Sequence, residues 1–173
     1  MKKKKTFYTG LGILLVSLVL TGCSSEVPDD FPRLHNVTLE FTQEGKPMTE
    51  AEIYLVSADD ACPWCVTGTT NNKGQAELYT HGQYKGAPEG VFRVIVQKQK
   101  SEGEKEITPE EQNSLDDSVQ KEPIYIYSLV DKKYTTKETT PLEVTIQKGS
   151  NYQPFELGKE EKVLMQTIKP GQP

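Results

Sequence analysis

The sequence predicts an all-β protein, an antiparallel Greek-key β-sandwich of about seven strands with a charged, partly helical insertion. Three observations lead there. Apolar residues recur with a period of two, as in Val37, Leu39 and Phe41 or Phe92, Val94 and Val96, which places them on one face of a strand. Asn71-Asn72-Lys73-Gly74 separates two strand-like runs and supplies side chains that tolerate positive φ, the chemistry of a hairpin turn. Elsewhere, short runs are punctuated by Gly and Pro with little helical periodicity, a pattern that fits a sandwich.

Four lysines at positions 2–5 precede an apolar run at 11–20, too short to span a bilayer comfortably, and together they read as a secretory leader. The run ends in Leu20-Thr21-Gly22-Cys23, which resembles a bacterial lipobox. That resemblance implies a diacylglyceryl group on the Cys23 thiol, cleavage before Cys23, and a membrane as the first partner. An uncleaved anchor helix, or an ordinary signal with a chance cysteine, are the alternatives. The expected organisation is a leader over 1–22, a lipid-anchored tether over 23–35, a sandwich over 36–168 and a tail over 169–173.

Loss of residues 1–22, which hold four lysines and no acid, takes the formal charge from −5 to −9. So acidic a chain lacks the basic stripe that displaces counterions from phosphates, and nucleic acid is not an expected partner. Export also puts Cys62 and Cys65 where disulfides persist. Residues 24–33 carry Pro28, Pro32 and three acids with little apolar content, so they read as a tether reaching at most about 35 Å.

The first strand follows from Val37, Leu39 and Phe41. After a turn holding Gly45 and Pro47, Ala51, Ile53 and Leu55 form a second, with Tyr54 and Val56 large enough for both faces to be covered. The hairpin takes residues 64–70 out and 75–80 back. Beyond Gly82, Gly86, Pro88 and Gly90, residues 91–97 are apolar enough for a central strand. Residues 98–123 form a charged insertion, in which Thr108-Pro109-Glu110-Glu111 has the form of a helix N-terminus and Leu115 and Val119 give that helix one apolar edge. Residues 124–130 return to the sheet. Leu142, Val144 and Ile146 alternate, as do Phe155 and Leu157, and residues 163–168 add a terminal edge strand.

Gly45-Lys46-Pro47, the hairpin Gly68-Thr69-Thr70-Asn71-Asn72-Lys73-Gly74, Gly86-Ala87-Pro88-Glu89-Gly90 leading into Phe92-Arg93-Val94, then Tyr134 and Thr140-Pro141-Leu142 occur in an order that resembles the carboxypeptidase regulatory-like domains of small bacterial lipoproteins. Those are transthyretin-like β-sandwiches, and the resemblance spans residues 37–157. It implies a fold and not catalysis. The chain departs from the pattern in having Asn71 where the hairpin turn usually carries an acid, and in the added Cys62-Pro63-Trp64-Cys65.

No catalytic constellation is legible, and no cofactor or metal is expected. His35 and His81 open no zinc-ligand motif, no nucleophile elbow occurs, and the acid pairs Glu110-Glu111 and Asp116-Asp117 read as solvated charge. Cys62 and Cys65 are expected to form a structural disulfide. Cys65 leads into a strand-like run, so no helix dipole favours a thiolate, and Asp59 and Asp60 disfavour one. Free thiols, a redox pair and a metal site remain alternatives. Trp64, Tyr79 and Tyr84 are the candidate binding residues, since exposed aromatics on a β-sandwich can stack on sugars, although strand tyrosines are more often half-buried by cross-strand pairing. The expected role is a noncatalytic interaction or structural module, lipid-anchored at the cell envelope and facing the periplasm or exterior. Its partner would be an envelope protein. A carbohydrate-binding module is the alternative, and a thiol-redox protein the third.

Overall fold

The computed structural model describes residues 31–58, 64–103 and 123–169. The leader, Cys23, most of the tether, Cys62 and the helix expected after Thr108 lie outside them. Over the described residues the chain is almost wholly β, in several largely antiparallel sheets, as an all-β sandwich requires.

The N-terminal strands are β1 (Leu34–Gln43), β2 (Lys46–Pro47), β3 (Glu52–Ser57) and β4 (Val66–Thr69). Four short ones follow, β5 (Gln75–Glu77), β6 (Tyr79–Thr80), β7 (Tyr84–Lys85) and β8 (Ala87–Pro88). The rest are β9 (Gly90–Gln97), β10 (Gln99–Glu102), β11 (Ile124–Ser128), β12 (Glu143–Ile146), β13 (Ser150–Glu156) and β14 (Val163–Ile168). Among the described residues there is one 3₁₀ turn, Lys132–Tyr134, started by Asp131, whose carboxylate accepts from the Lys133 N–H at 2.9 Å.

Strand β1 is the axis of the first sheet. Its alternation buries Val37, Leu39 and Phe41 completely or nearly so, each worth roughly 1.5–3 kcal/mol relative to exposure. One edge of β1 is filled in sections by antiparallel β8, β5 and β2. The other edge takes β13 in parallel, with Asn36 opposite Ser150 and Phe41 opposite Phe155. This parallel pair departs from the antiparallel expectation. It lets Phe41 and Phe155 stack with ring centroids 5.4 Å apart.

The second sheet runs β12-β9-β3-β4-β6-β7, antiparallel throughout. Ile53 and Leu55 of β3, Phe92, Val94 and Val96 of β9, and Val144 and Ile146 of β12 are buried and complete the core with β1. Tyr54 and Val56, on the opposite face of β3, are half-buried.

The hairpin forms in one register, with Val66 opposite Thr80, Thr67 opposite Tyr79 and Thr70 opposite Ala76. The return arm, however, is two strands rather than one. Residues 75–77 pair with β1 in the first sheet, and the chain crosses at buried Leu78 to pair with β4 in the second. The turn itself is held by Asn71, whose Oδ1 accepts from Lys73 N at 2.8 Å and Gln75 N at 3.2 Å. Asn71 thus supplies the carbonyl oxygen that an aspartate would offer, without its charge.

The insertion begins later than its composition suggests. Residues 99–102 form β10, which pairs with β11, and β14 pairs with the other side of β11. This third sheet adjoins the C-terminal end of β1, where the Gln43 side-chain amide donates to the Leu129 carbonyl at 3.3 Å.

Candidate functional site

Three regions of the molecule gather groups capable of recognition. The first lies where the chain enters the domain. Directly paired residues on neighbouring antiparallel strands share a face, so Val66, Thr80 and Tyr84 all point toward the core side of the hairpin. Trp64, two residues before Val66, packs partly buried against the same core. Onto Trp64 and Tyr84 lies Phe31, with ring centroids at 4.5 and 4.8 Å, and His81 stands edge-on to both Phe31 and Trp64 at 5.6 and 5.5 Å. His81 reaches this position through the left-handed φ of 52° with which it opens the β6–β7 turn. The four rings, of which Phe31, Trp64 and Tyr84 are half-buried and His81 is exposed, therefore form a seat for the start of the domain. Two of them, Phe31 and His81, were not legible as partners: Phe31 lies in a tether-like segment and His81 outside any alternating run.

Tyr79 does not join Trp64 and Tyr84. Its row contains Thr67 and Lys85, on the outward face of the sheet. There the open middle of the hairpin leaves a second region, a groove of about 490 Å³ lined by Thr67, Thr69, Asn71, Gln75, Glu77 and Tyr79. Lys85 Nζ lies 2.8 Å from Glu77 Oε2, and the Tyr79 hydroxyl donates to the same oxygen at 3.5 Å. The Lys85 hydrogen bond and charge hold the Glu77 carboxyl below its ordinary pKa, so it is an acceptor at neutral pH. The two half-exposed partners form a surface pair of small energetic weight.

The third region is the β10-β11-β14 sheet. All six residues of β14 are exposed, including Val163, Leu164, Met165 and Ile168 at 41–57 %, and Tyr125 on β11 is exposed beside them. Tyr125 and Tyr127 share one face, with ring centroids 6.5 Å apart. Lys162 Nζ sits 4.1 Å from the Tyr127 ring centre and binds both Glu102 carboxylate oxygens at 2.8 Å. Those lysine contacts, with Lys100 at 3.1 Å, lower the Glu102 pKa. Met165 is the extra residue of a bulge, since Gln166 pairs with Ile126 but Leu164 with Tyr127. Such a bulge in an edge strand discourages open-ended pairing with further strands.

The remaining sequence candidates are spread apart. His35 is 5 % exposed and bridges two loops: its Nδ1 accepts from Gly149 N at 3.1 Å and its Nε2 lies 2.9 Å from Glu89 Oε1. With Nδ1 accepting, Nε2 carries the proton and donates to the carboxylate. The two histidines thus serve different partners, one a hydrogen-bonded bridge and the other a ring cluster. Cys65 is exposed and bonded to no cysteine among the described residues, while Cys62 and Cys23 lie outside them. Comparison of the chain with family models, with curated proteins and with solved structures finds no match.

Proposed function

We propose that the protein is an exported lipoprotein, anchored through Cys23, that acts as a noncatalytic interaction module at the cell envelope. The observation that carries this reading is the disposition of the exposed apolar sheet relative to the chain entry. Phe31 enters at the N-terminal end of β1, and the β10-β11-β14 sheet adjoins its C-terminal end. Ten residues of strand separate them by roughly 30 Å. A chain held at Cys23 would carry the exposed apolar side chains of this sheet away from the bilayer, toward other envelope components. Leu164 shares one face of this sheet with Tyr125 and Tyr127, while Val163 and Ile168 lie on the other with Ile124, so both faces offer apolar side chains, and exposed apolar surface marks contact sites.

The order of turn motifs between Gly45 and Leu142 supports placing the domain among carboxypeptidase regulatory-like modules, for which a scaffold or contact role is the natural one. A disulfide between Cys62 and Cys65 belongs to the same proposal, as a brace for the loop that carries Trp64.

The test has two parts. Intact-mass measurement of protein extracted from membranes should give a chain starting at Cys23 plus acyl mass, and Cys23→Ala should leave a larger unlipidated precursor. A photo-crosslinking residue at Met165 should then give discrete adducts in intact cells, and one at Tyr152, exposed on a different sheet, should not. An unmodified chain cut elsewhere sinks the anchor, and equal crosslinking from both positions sinks the contact surface.

A further inference from the structure

The groove in the hairpin exists because of how the chain changes sheets. Between the Thr67–Tyr79 and Thr70–Ala76 pairs, β5 turns away from β4 to pair with β1, so the outward face of the hairpin opens over Gly68. Its walls are hydroxyls, amides, one carboxylate and one phenol ring. Part of this equipment is already committed. Asn71 uses its oxygen in the turn, which leaves its NH₂ group, and Gln75 donates its NH₂ to Glu40 at 2.8 Å, which leaves its oxygen. Glu77 spends Oε2 on Lys85 and Tyr79 and retains Oε1.

These groups favour one ligand chemistry over the others. A phosphate or carboxylate ligand would meet the Glu77 anion, while the nearby cation, Lys85, is already paired with it. An apolar ligand would strand the threonine hydroxyls and amides without partners, at a cost of about 1–3 kcal/mol for each buried group. A neutral, polyhydroxylated ring satisfies the set. Its hydroxyls can donate to the Glu77 and Gln75 oxygens and accept from the Asn71 amide, and its C–H face can rest on the Tyr79 ring. The volume lies within the usual range for small-ligand sites.

We propose that the hairpin groove lined by Thr67, Thr69, Glu77 and Tyr79 is a binding site for a neutral saccharide. The site is separate from the β10-β11-β14 sheet and does not depend on it.

The experiment titrates ¹⁵N-labelled full-length protein, in detergent micelles, with cellotetraose, maltotetraose and chitotetraose. At least one should bind saturably and shift the amides of Thr67, Thr69 and Asn71. Glu77→Gln and Thr69→Val, both nearly isosteric, should each weaken binding several-fold, and Tyr79→Ala roughly tenfold. Tyr125→Ala, which alters an exposed tyrosine on β11 of the third sheet, should leave the affinity unchanged. Trp64 fluorescence reports whether each variant is folded, so a Tyr79→Ala chain that fails to fold leaves the decision to the two isosteric variants. The proposal is overturned if no sugar saturates by about 10 mM, far above a useful affinity. It is equally overturned if binding survives both isosteric changes, or is lost to the same extent in Tyr125→Ala.

Discussion

Gly68 faces Leu78 so closely that a β-carbon on it would lie 2.8 Å from Leu78 Cδ2, and 2.5 Å from the Glu77 carbonyl oxygen. The close approach belongs to the point where the chain crosses from one sheet to the other, and the backbone carbonyl has nowhere to move. Gly68→Ala is therefore expected to destabilise the domain by about 1–3 kcal/mol, the usual cost of overpacking. Thermal unfolding followed by circular dichroism measures it, and a melting temperature equal to wild type would refute the crossing as a packed element.

A second expectation concerns His35. Its ring ties Gly149, in the β12–β13 loop, to Glu89, just ahead of β9. His35→Ala removes the acceptor of a backbone N–H and opens a cavity at a 5 % exposed site, for a loss of roughly 2–4 kcal/mol. Glu89→Gln keeps a hydrogen-bond acceptor and should cost well under half as much. Chemical denaturation of both variants decides the order, and a Glu89→Gln loss as large as that of His35→Ala would show the bridge to be misread.

Trp64 is the sole tryptophan, so it reports on the ring cluster without interference. Phe31→Ala takes away the ring lying 4.5 Å from it. The expected result is a red-shifted emission maximum and faster iodide quenching, with the melting temperature lowered by only a few degrees, since the cluster sits at the edge of the core. Unchanged emission would mean that Phe31 does not cover Trp64 in solution.

The cysteine pair is tested by thiol counting on exported, unreduced protein. A Cys62–Cys65 bridge leaves neither thiol titratable, and the double Ser variant should still fold with a modestly lower melting temperature, since so small a loop contributes about 2 kcal/mol or less in the chain-entropy model. Two titratable thiols would remove the disulfide from the proposal.

Much of the core was legible because burial imposes strict alternation. Val37, Leu39 and Phe41, like Phe92, Val94 and Val96, lie inside because their neighbours are turned out. Strand β10 was not legible, because Gln-Lys-Ser-Glu has no apolar side chain to bury and so shows no alternation. The bulge at Met165 similarly blurs β14 by shifting its register against β11. Among the candidate binding residues, chemistry identified Trp64, Tyr79 and Tyr84, but strand parity divided them between the two faces of the hairpin. Parity depends on register, which turn residues alone do not fix across the sheet crossing. Phe31 and His81 joined the cluster through contacts distant in sequence, and no local pattern announces those.

The parallel union of β1 with β13 sets a timetable for folding. Strands β2, β5 and β8 come from the 45 residues that follow β1 and can assemble along one edge as soon as they are available. The opposite edge waits for residues 150–156, and closing a connection of more than 100 residues is the slow, entropically costly step. A chain that crosses a membrane from its N-terminus would reach the far side with that edge of β1 uncovered, open to any other extended segment nearby. The last third of the sequence thus acts on the first as a shield against misassembly, and truncation ahead of Ser150 would yield aggregates rather than a smaller domain.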